Sequence, residues 1–184
     1  MRIYNYAAFY VAEPFSPYNL GAYATPDFKH YNLLRAWKAK DSSFPFLDAH
    51  ETTYNVRDDS SWELTLKPRL RDRLRNSRNI ILILSSNTKA SRALKEEIEY
   101  GVGELGLPLI VVYPELSNDQ IGNDNVVGYQ AKKYWEKIPG LKEYIESVPS
   151  VHVPLEKDKI RQSLEDSDFT VQHKRINFCW RYSD

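Results

Sequence analysis

Asn79-Ile80-Ile81-Leu82-Ile83-Leu84-Ser85-Ser86-Asn87-Thr88, continuing through Lys89-Ala90-Ser91-Arg92-Ala93-Leu94-Lys95-Glu96-Glu97-Ile98-Glu99-Tyr100-Gly101-Val102-Gly103-Glu104-Leu105-Gly106, is the stretch that decides the fold. Residues 80–84 are apolar at every position. A strand with one wet face alternates, so this run reads as a central parallel strand buried on both faces. Ser85, Ser86, Asn87 and Thr88 supply small polar side chains that can cap a helix. Leu94, Ile98, Val102 and Leu105 recur at helical spacing and make one apolar face. Gly106 stands where that helix would end. Residues 107–113 form a second buried-strand candidate. Strand, helix and strand in this order make a right-handed βαβ unit.

The helix carries three acids that its geometry separates. At about 100° per residue, the apolar face centres between Leu94 and Ile98, and Glu96 points away from the sheet. Glu97 and Glu99 fall on opposite flanks, roughly 90–110° from that centre. Glu97 shares its flank with Ala93 and Tyr100, a small residue and an aromatic that can wall a shallow pocket. The plain alternative is that all three are solvated helix acids.

Outward from this unit, residues 3–10 read as the first strand. Residues 11–25 form a long connection whose aromatics, Phe15, Tyr18 and Tyr23, argue for an ordered loop. Thr25 and Pro26 open a helix to about Lys40. Residues 44–48 follow as a short second strand, which Pro45 assigns to an edge or an opening position. Residues 49–61 mix His50, Tyr54, Asn55, Arg57, Asp58 and Asp59. Ser60 or Ser61 then caps a helix through Trp62, Leu66, Leu70 and Leu74, kinked or truly begun at Pro68. Its arginines, 69 to 78, read as a solvated face. Downstream, residues 113–149 read as a long connection with a short helix over 132–137. A fifth strand over 148–153, a helix over 157–166 and an extra strand or tail over 169–182 complete the chain. A single domain over 1–184 is expected, with a core over 1–155 and an extension over 156–184.

Bulk properties narrow the function. The chain has 184 residues with 25 basic and 25 acidic side chains, so charge gives no case for nucleic acid or an anionic membrane. No apolar run reaches membrane-span length, and Met1-Arg2-Ile3-Tyr4 lacks a signal-peptide layout. A cytoplasmic protein is the expectation. Cys179 is the single cysteine, which excludes an intrachain disulfide, and the four histidines show no close ligand spacing. Neither the GxGxxG nor the Walker pattern occurs.

Five strands alternating with helices imply a doubly wound α/β fold with a mostly parallel, flavodoxin-like sheet of order 2-1-3-4-5. Ligands in such sheets sit beyond the carboxyl ends of the strands, where the order switches. That rule selects Phe9 and Tyr10 after strand 1, Asp48 and His50 after strand 2, and Ser85 and Ser86 after strand 3, with Glu97 on the next helix. Aromatic faces suit a flat base and acids suit ribose hydroxyls. For His50, Asp48 and the two serines, purely local bonding and capping are the competing readings.

Ala7-Ala8-Phe9-Tyr10, Tyr31-Asn32-Leu33-Leu34-Arg35-Ala36-Trp37-Lys38, Phe44-Pro45-Phe46-Leu47-Asp48, Tyr54-Asn55-Val56-Arg57-Asp58, Ser91-Arg92-Ala93-Leu94-Lys95-Glu96-Glu97-Ile98 and Leu107-Pro108-Leu109-Ile110-Val111-Val112-Tyr113 together resemble the ThsB-type TIR-like proteins of the bacterial Thoeris anti-phage system. The resemblance covers residues 1–115 well and the remainder loosely. It implies a TIR fold that consumes NAD+ as substrate, with no resident cofactor or metal. Cleavage at the nicotinamide–ribose bond would yield an ADP-ribose-derived signal, cyclic or conjugated, that activates a separate effector. It also implies a homo-oligomer in which a neighbouring subunit completes the site. The family's catalytic glutamate matches Glu97, with Glu99 as the fallback register. The family's usual Ser-Tyr-Ser-x-x-Asp run at the first strand is replaced here by Ala8-Phe9-Tyr10 and the long aromatic loop.

The chemistry so implied is cleavage through an oxocarbenium-like state. An ionised carboxylate stabilises that charge, and a glutamate with an ordinary pKa of about 4.3 is ionised at neutral pH. Glu97 is therefore expected to need no tuning. Phe9 and the loop aromatics would stack on nicotinamide or adenine, and Asp48, His50 and Tyr54 would position ribose or the acceptor. Two other classes fit the same layout: a non-catalytic nucleotide-binding or adaptor TIR-like protein, and a flavodoxin-like nucleoside-processing enzyme such as a deoxyribosyltransferase.

Overall fold

The computed structural model describes residues 2–11, 26–51, 61–123, 126–171 and 179–180. In chain order its elements are β1 (Tyr4–Ala8), α1 (Phe28–Lys40), α2 (Lys67–Arg75), β2 (Ser77–Ile83), α3 (Arg92–Ile98), β3 (Leu109–Tyr113) and α4 (Asn118–Ile121). An antiparallel pair, β4 (Gly122–Asn123) and β5 (Val126–Val127), follows, then α5 (Tyr129–Trp135), α6 (Leu141–Ser147), β6 (Ser150–Pro154), α7 (Lys157–Glu165) and β7 (Cys179–Trp180).

The main sheet runs β1-β2-β3-β6-β7, and every neighbouring pair is parallel. Within β2, Ile80 and Leu82 face one apolar cluster while Ile81 and Ile83 face the other, which is why the run shows no polar alternation. Helices α2, α3, α5 and α6 cover the first face through residues such as Leu74, Leu94, Trp135 and Ile145. Helices α1 and α7 cover the second through Leu34, Ile160 and Leu164. Full burial of each such side chain contributes about 1.5–3 kcal/mol relative to exposure.

Outside β1, Asp48 bridges Asn5 in parallel. Counting that segment, the order is the flavodoxin-like 2-1-3-4-5 expected, with β7 as the extra C-terminal strand. The second strand expected over 44–48 is reduced to this one bridge. Pro45 has no N–H to donate, and the Leu47 N–H bonds the Asn5 side-chain Oδ1 at 2.8 Å instead of a backbone carbonyl. The Asn5 amide in turn donates to Asn79 Oδ1 at 2.8 Å, and Asn79 donates to the Phe169 carbonyl at 3.0 Å. Four separate segments, at Leu47, β1, β2 and Phe169, are thus tied together by two buried amides.

The helix after β2 is capped by Ser91, whose Oγ accepts the Leu94 N–H at 3.2 Å. This corrects the expectation that residues 85–88 supply the cap: Ser85 and Thr88 turn instead to Asp27. After Ile98 the backbone widens into a π-helical turn, Glu99–Glu104, and ends at Gly106 with φ +63°, the left-handed conformation glycine takes most readily. Ser61 caps a π-helical turn, Trp62–Leu66, and α2 then begins with Pro68 in its first turn, which resolves the expected kink. The first strand ends at Ala8 rather than Tyr10. Residues 113–149 hold three helices and the β4–β5 pair rather than one short helix. Each of those elements spans seven residues or fewer, too short for periodicity to reveal.

Candidate functional site

The packing of α3 on β1 and α2 places Glu97 inside the protein. Only 8% of Glu97 is exposed, and Tyr6, its partner on β1, is 1% exposed. The Tyr6 hydroxyl donates to Glu97 Oε1 at 2.8 Å. Glu97 Oε2 is buried and has no hydrogen-bond partner among the described residues. Burial pushes the carboxyl up to about 8, against the downward pull of the Tyr6 bond and the Arg73 charge. The expectation of an ordinary, ionised Glu97 is therefore corrected: in this state the acid holds its proton at neutral pH. Tyr6 stays protonated as well, its pKa raised well above the usual value first by burial and then by Glu97.

The other two helix acids are elsewhere. Glu96 is buried rather than pointing to solvent, because α2 packs beside it: Arg71 Nε reaches its Oε1 at 2.6 Å and Lys67 its Oε2 at 3.5 Å. The α2 arginines are thus not simply a solvated face, since Arg71 also lies over the Tyr100 ring at 4.3 Å. Glu99 is exposed and pairs with Lys95 at 3.6 Å.

A second group of side chains joins Glu97 through Tyr6. The His50 ring lies 4.6 Å from the Tyr6 ring and 5.9 Å from Tyr31, centroid to centroid. His50 Nε2 meets the Ala7 carbonyl at 3.0 Å, and Arg73 Nη1 meets Nδ1 at 3.2 Å. Burial, then the Arg73 charge, push the His50 pKa down to about 4. Asp48 accepts from the Tyr31 hydroxyl at 2.5 Å and from the His50 backbone N–H at 2.9 Å, with Arg35 at 3.7 Å. A cavity of about 170 Å³ opens beside this group, lined by Asp48, Glu51, Asp72 and Arg73 among others. That volume is below the roughly 300–1,000 Å³ typical of ligand pockets.

Of the residues singled out in the sequence, Glu97, Asp48 and His50 come together here. Tyr10 packs against the same sheet face as Glu97. Phe9 turns to the opposite face, stacked on Tyr31 at 5.4 Å. Ser85 and Ser86 lie in a different cluster: Ser85 Oγ donates to Asp27 at 2.5 Å, and Ser86 Oγ donates to Glu115 at 2.6 Å. Tyr54 and the aromatic loop over 12–25 lie outside the described residues. Tyr6, Tyr31 and Arg73 join the group without any sequence motif that marks them. Tyr6 reads as an ordinary strand aromatic and Arg73 as one arginine of a row, and only the packing of β1 against α2 and α3 reveals their partners. Among the described residues no group of His, Cys, Asp and Glu is placed to hold a metal ion. No described helix is long and apolar enough to cross a membrane.

A buried carboxyl with one oxygen held and the other unpartnered can carry a proton, lose it, and then meet a positive charge or a hydroxyl. Residues 6–119 match the family model described as the TIR-like domain of the Thoeris protein ThsB. That span contains Tyr6, Tyr31, Asp48, His50, Arg73 and Glu97.

Proposed function

Because the chain belongs to the Thoeris ThsB family of TIR-like domains, we propose that it consumes NAD+ by cleaving the nicotinamide–ribose bond. Family membership makes it a defence-related TIR protein within a system that includes an effector. In the proposed reading, NAD+ is a substrate and no resident cofactor is required. The product, an ADP-ribose derivative that is cyclic or conjugated, activates that separate effector.

The observation that carries the reading is Glu97, a buried carboxyl with Oε2 unpartnered among the described residues. Nicotinamide leaves as a neutral molecule, so the bond breaks without a general acid and the burden is the positive charge left on the ribose. A carboxylate near the sugar stabilises that charge. The raised pKa of Glu97 fits this role once substrate is considered, since a pyridinium cation brought beside the carboxyl favours its ionised form. The acid is then neutral while the site is empty and charged when the cation arrives. Tyr10, on the sheet face of Glu97, supplies an aromatic face for the base or nicotinamide, whereas Phe9, on the opposite face, and Ser85 and Ser86, bonded to Asp27 and Glu115, have no part in it. Asp48, which lines the cavity, meets the ribose side or the acceptor, and His50 orients Arg73 beside it. Water as acceptor gives ADP-ribose, an adenine nitrogen gives a cyclic product, and an external amine gives a conjugate.

The test compares the purified full chain with Glu97→Gln, each incubated with NAD+ at high protein concentration, while free nicotinamide is followed. Release by the wild type and loss of about 100-fold or more in the variant supports the reading. No release by the wild type, with or without phage lysate as a trigger, sinks it. The second reading, a non-catalytic nucleotide-binding or adaptor protein, draws on the closed state of Glu97. It gains if NAD+ binds but nicotinamide stays attached.

A further inference from the structure

The geometry points to Tyr6 as the positioning residue of Glu97: its hydroxyl holds Oε1 in place, so that Oε2 alone meets the ligand. The inference rests on the reading of Glu97 as the group beside the reacting sugar. Three observations support it. Tyr6 cannot swing away, because its backbone pairs with Ile80 in β2 and its ring packs on His50 at 4.6 Å. His50 is itself fixed at both ring nitrogens, by the Ala7 carbonyl and Arg73. The bond to Glu97 is asymmetric, with Oε1 taken at 2.8 Å and Oε2 buried without a partner among the described residues.

One hydroxyl can hold only one carboxyl oxygen, so the Tyr6 bond fixes Oε1 and leaves Oε2 to meet an incoming group. Buried polar atoms are nearly always hydrogen-bonded, and an orphan costs free energy, which a ligand at Oε2 would relieve. Among the described residues, the charged and titratable groups facing the carboxyl are Tyr6 from β1 and Arg73 from α2. Its neighbour Glu96 is turned to Arg71 and Lys67. The Tyr6 bond favours the ionised carboxyl, while burial opposes it. Removing the hydroxyl therefore has a signed consequence: the proton is held to higher pH.

The experiment is Tyr6→Phe in the full chain, which keeps the ring and deletes the donor. Nicotinamide release is expected to fall about 10- to 100-fold in kcat with little change in KM, as for loss of one hydrogen bond to a charged group. The acidic limb of the pH–kcat profile is expected to move to higher pH. Independently of turnover, the carbon-13 signal of the Glu97 carboxyl, assigned with Glu97→Gln, is expected to titrate at higher pH in Tyr6→Phe. A fluorinated tyrosine at position 6, a stronger donor of the same shape, is expected to move it the other way, which covers the case in which Tyr6→Phe fails to fold. A lower rate with an unmoved limb and an unmoved Glu97 titration overturns the inference, since that is what a structural role alone gives. If the wild type releases no nicotinamide, the functional reading fails, and the Glu97 titration still decides the role of Tyr6.

Discussion

Arg73 reaches Nδ1 of His50 at 3.2 Å, while the opposite ring nitrogen meets the Ala7 carbonyl at 3.0 Å. A guanidinium only donates and a carbonyl only accepts. His50 is therefore neutral, with its proton on Nε2 and its lone pair on Nδ1 facing Arg73. An imidazolium would set two donors against each other. Both nitrogens are engaged within the chain, so in this arrangement His50 orients Arg73 and packs Tyr6.

This arrangement makes the fold sensitive to acid. The folded pKa of His50 lies at about 4, below its ordinary 6.5, and burial pushes His152 down to about 3. Between those values and 6.5 the unfolded chain binds protons that the folded chain excludes, so stability is lost as pH falls through that window. Urea unfolding midpoints are expected to drop steadily from pH 6.5 to pH 4. His50→Gln, which takes no proton, is expected to flatten part of that slope. An identical slope in the variant would show that His50 is charged in the native state.

Glu97 acts in the opposite sense. Its folded pKa of about 8 lies above its ordinary 4.5, so the folded chain holds a proton that the unfolded chain releases. The stabilisation is complete below 4.5 and is lost as pH rises through 8. Glu97→Gln, neutral at every pH, is expected to gain stability over wild type above pH 8, on the order of 1–3 kcal/mol. Equal stabilities at pH 9 would place the carboxylate in water rather than under α2.

Ligand binding has its own proton signature. A cationic dinucleotide that cannot be cleaved is expected to eject the Glu97 proton on binding at pH 7.5. Calorimetry in buffers of different ionisation enthalpy reads that release directly. The reduced, uncharged dinucleotide and the Glu97→Gln variant are each expected to release none. Equal proton counts for the charged and uncharged ligands would separate Glu97 from the pyridinium.

Asn5 gives a purely structural prediction. Asn5→Ala leaves the Leu47 N–H and the Asn79 side-chain Oδ1 without their buried partner. The expected loss is about 2–4 kcal/mol, because orphaned buried polar groups cost more than a hydrogen bond contributes. Chemical denaturation measures it. A loss under about 0.5 kcal/mol would mean that water replaces the side chain.

The parts of this structure legible in the sequence are those where one rule acts alone. The unbroken apolar run at 80–84 could only be a doubly covered strand, and it fixed the βαβ unit and the sheet order. The position of Glu97 on a flank of its helix followed from 3.6-residue periodicity. Its protonation state did not, because that depends on α2 closing over the helix, a packing event no local pattern carries. The same closure turned Glu96 from a presumed surface acid into a buried partner of Arg71. Tyr6 was invisible for a similar reason: a strand aromatic gives no sign of what its hydroxyl meets across 91 positions of chain. Ser85 and Ser86, placed by the strand-end rule, proved to be tied to Asp27 and Glu115 by contacts of long sequence separation.

The lone Asn5–Asp48 bridge has a dynamic consequence. The margin that carries Asp48 and His50 hangs on β1 by the Asn5–Leu47 and Ala49–Asn5 backbone bonds, the Leu47–Asn5 side-chain bond and the contacts of the His50 ring, whereas β2 is laced by backbone on both sides. Amide protons at Leu47 and Ala49 should therefore exchange with solvent deuterium well before those of Ile80 to Ile83. Tyr6, which holds Glu97, packs its ring on His50 of that margin, so a local parting there would loosen the support of the acid without unfolding the sheet.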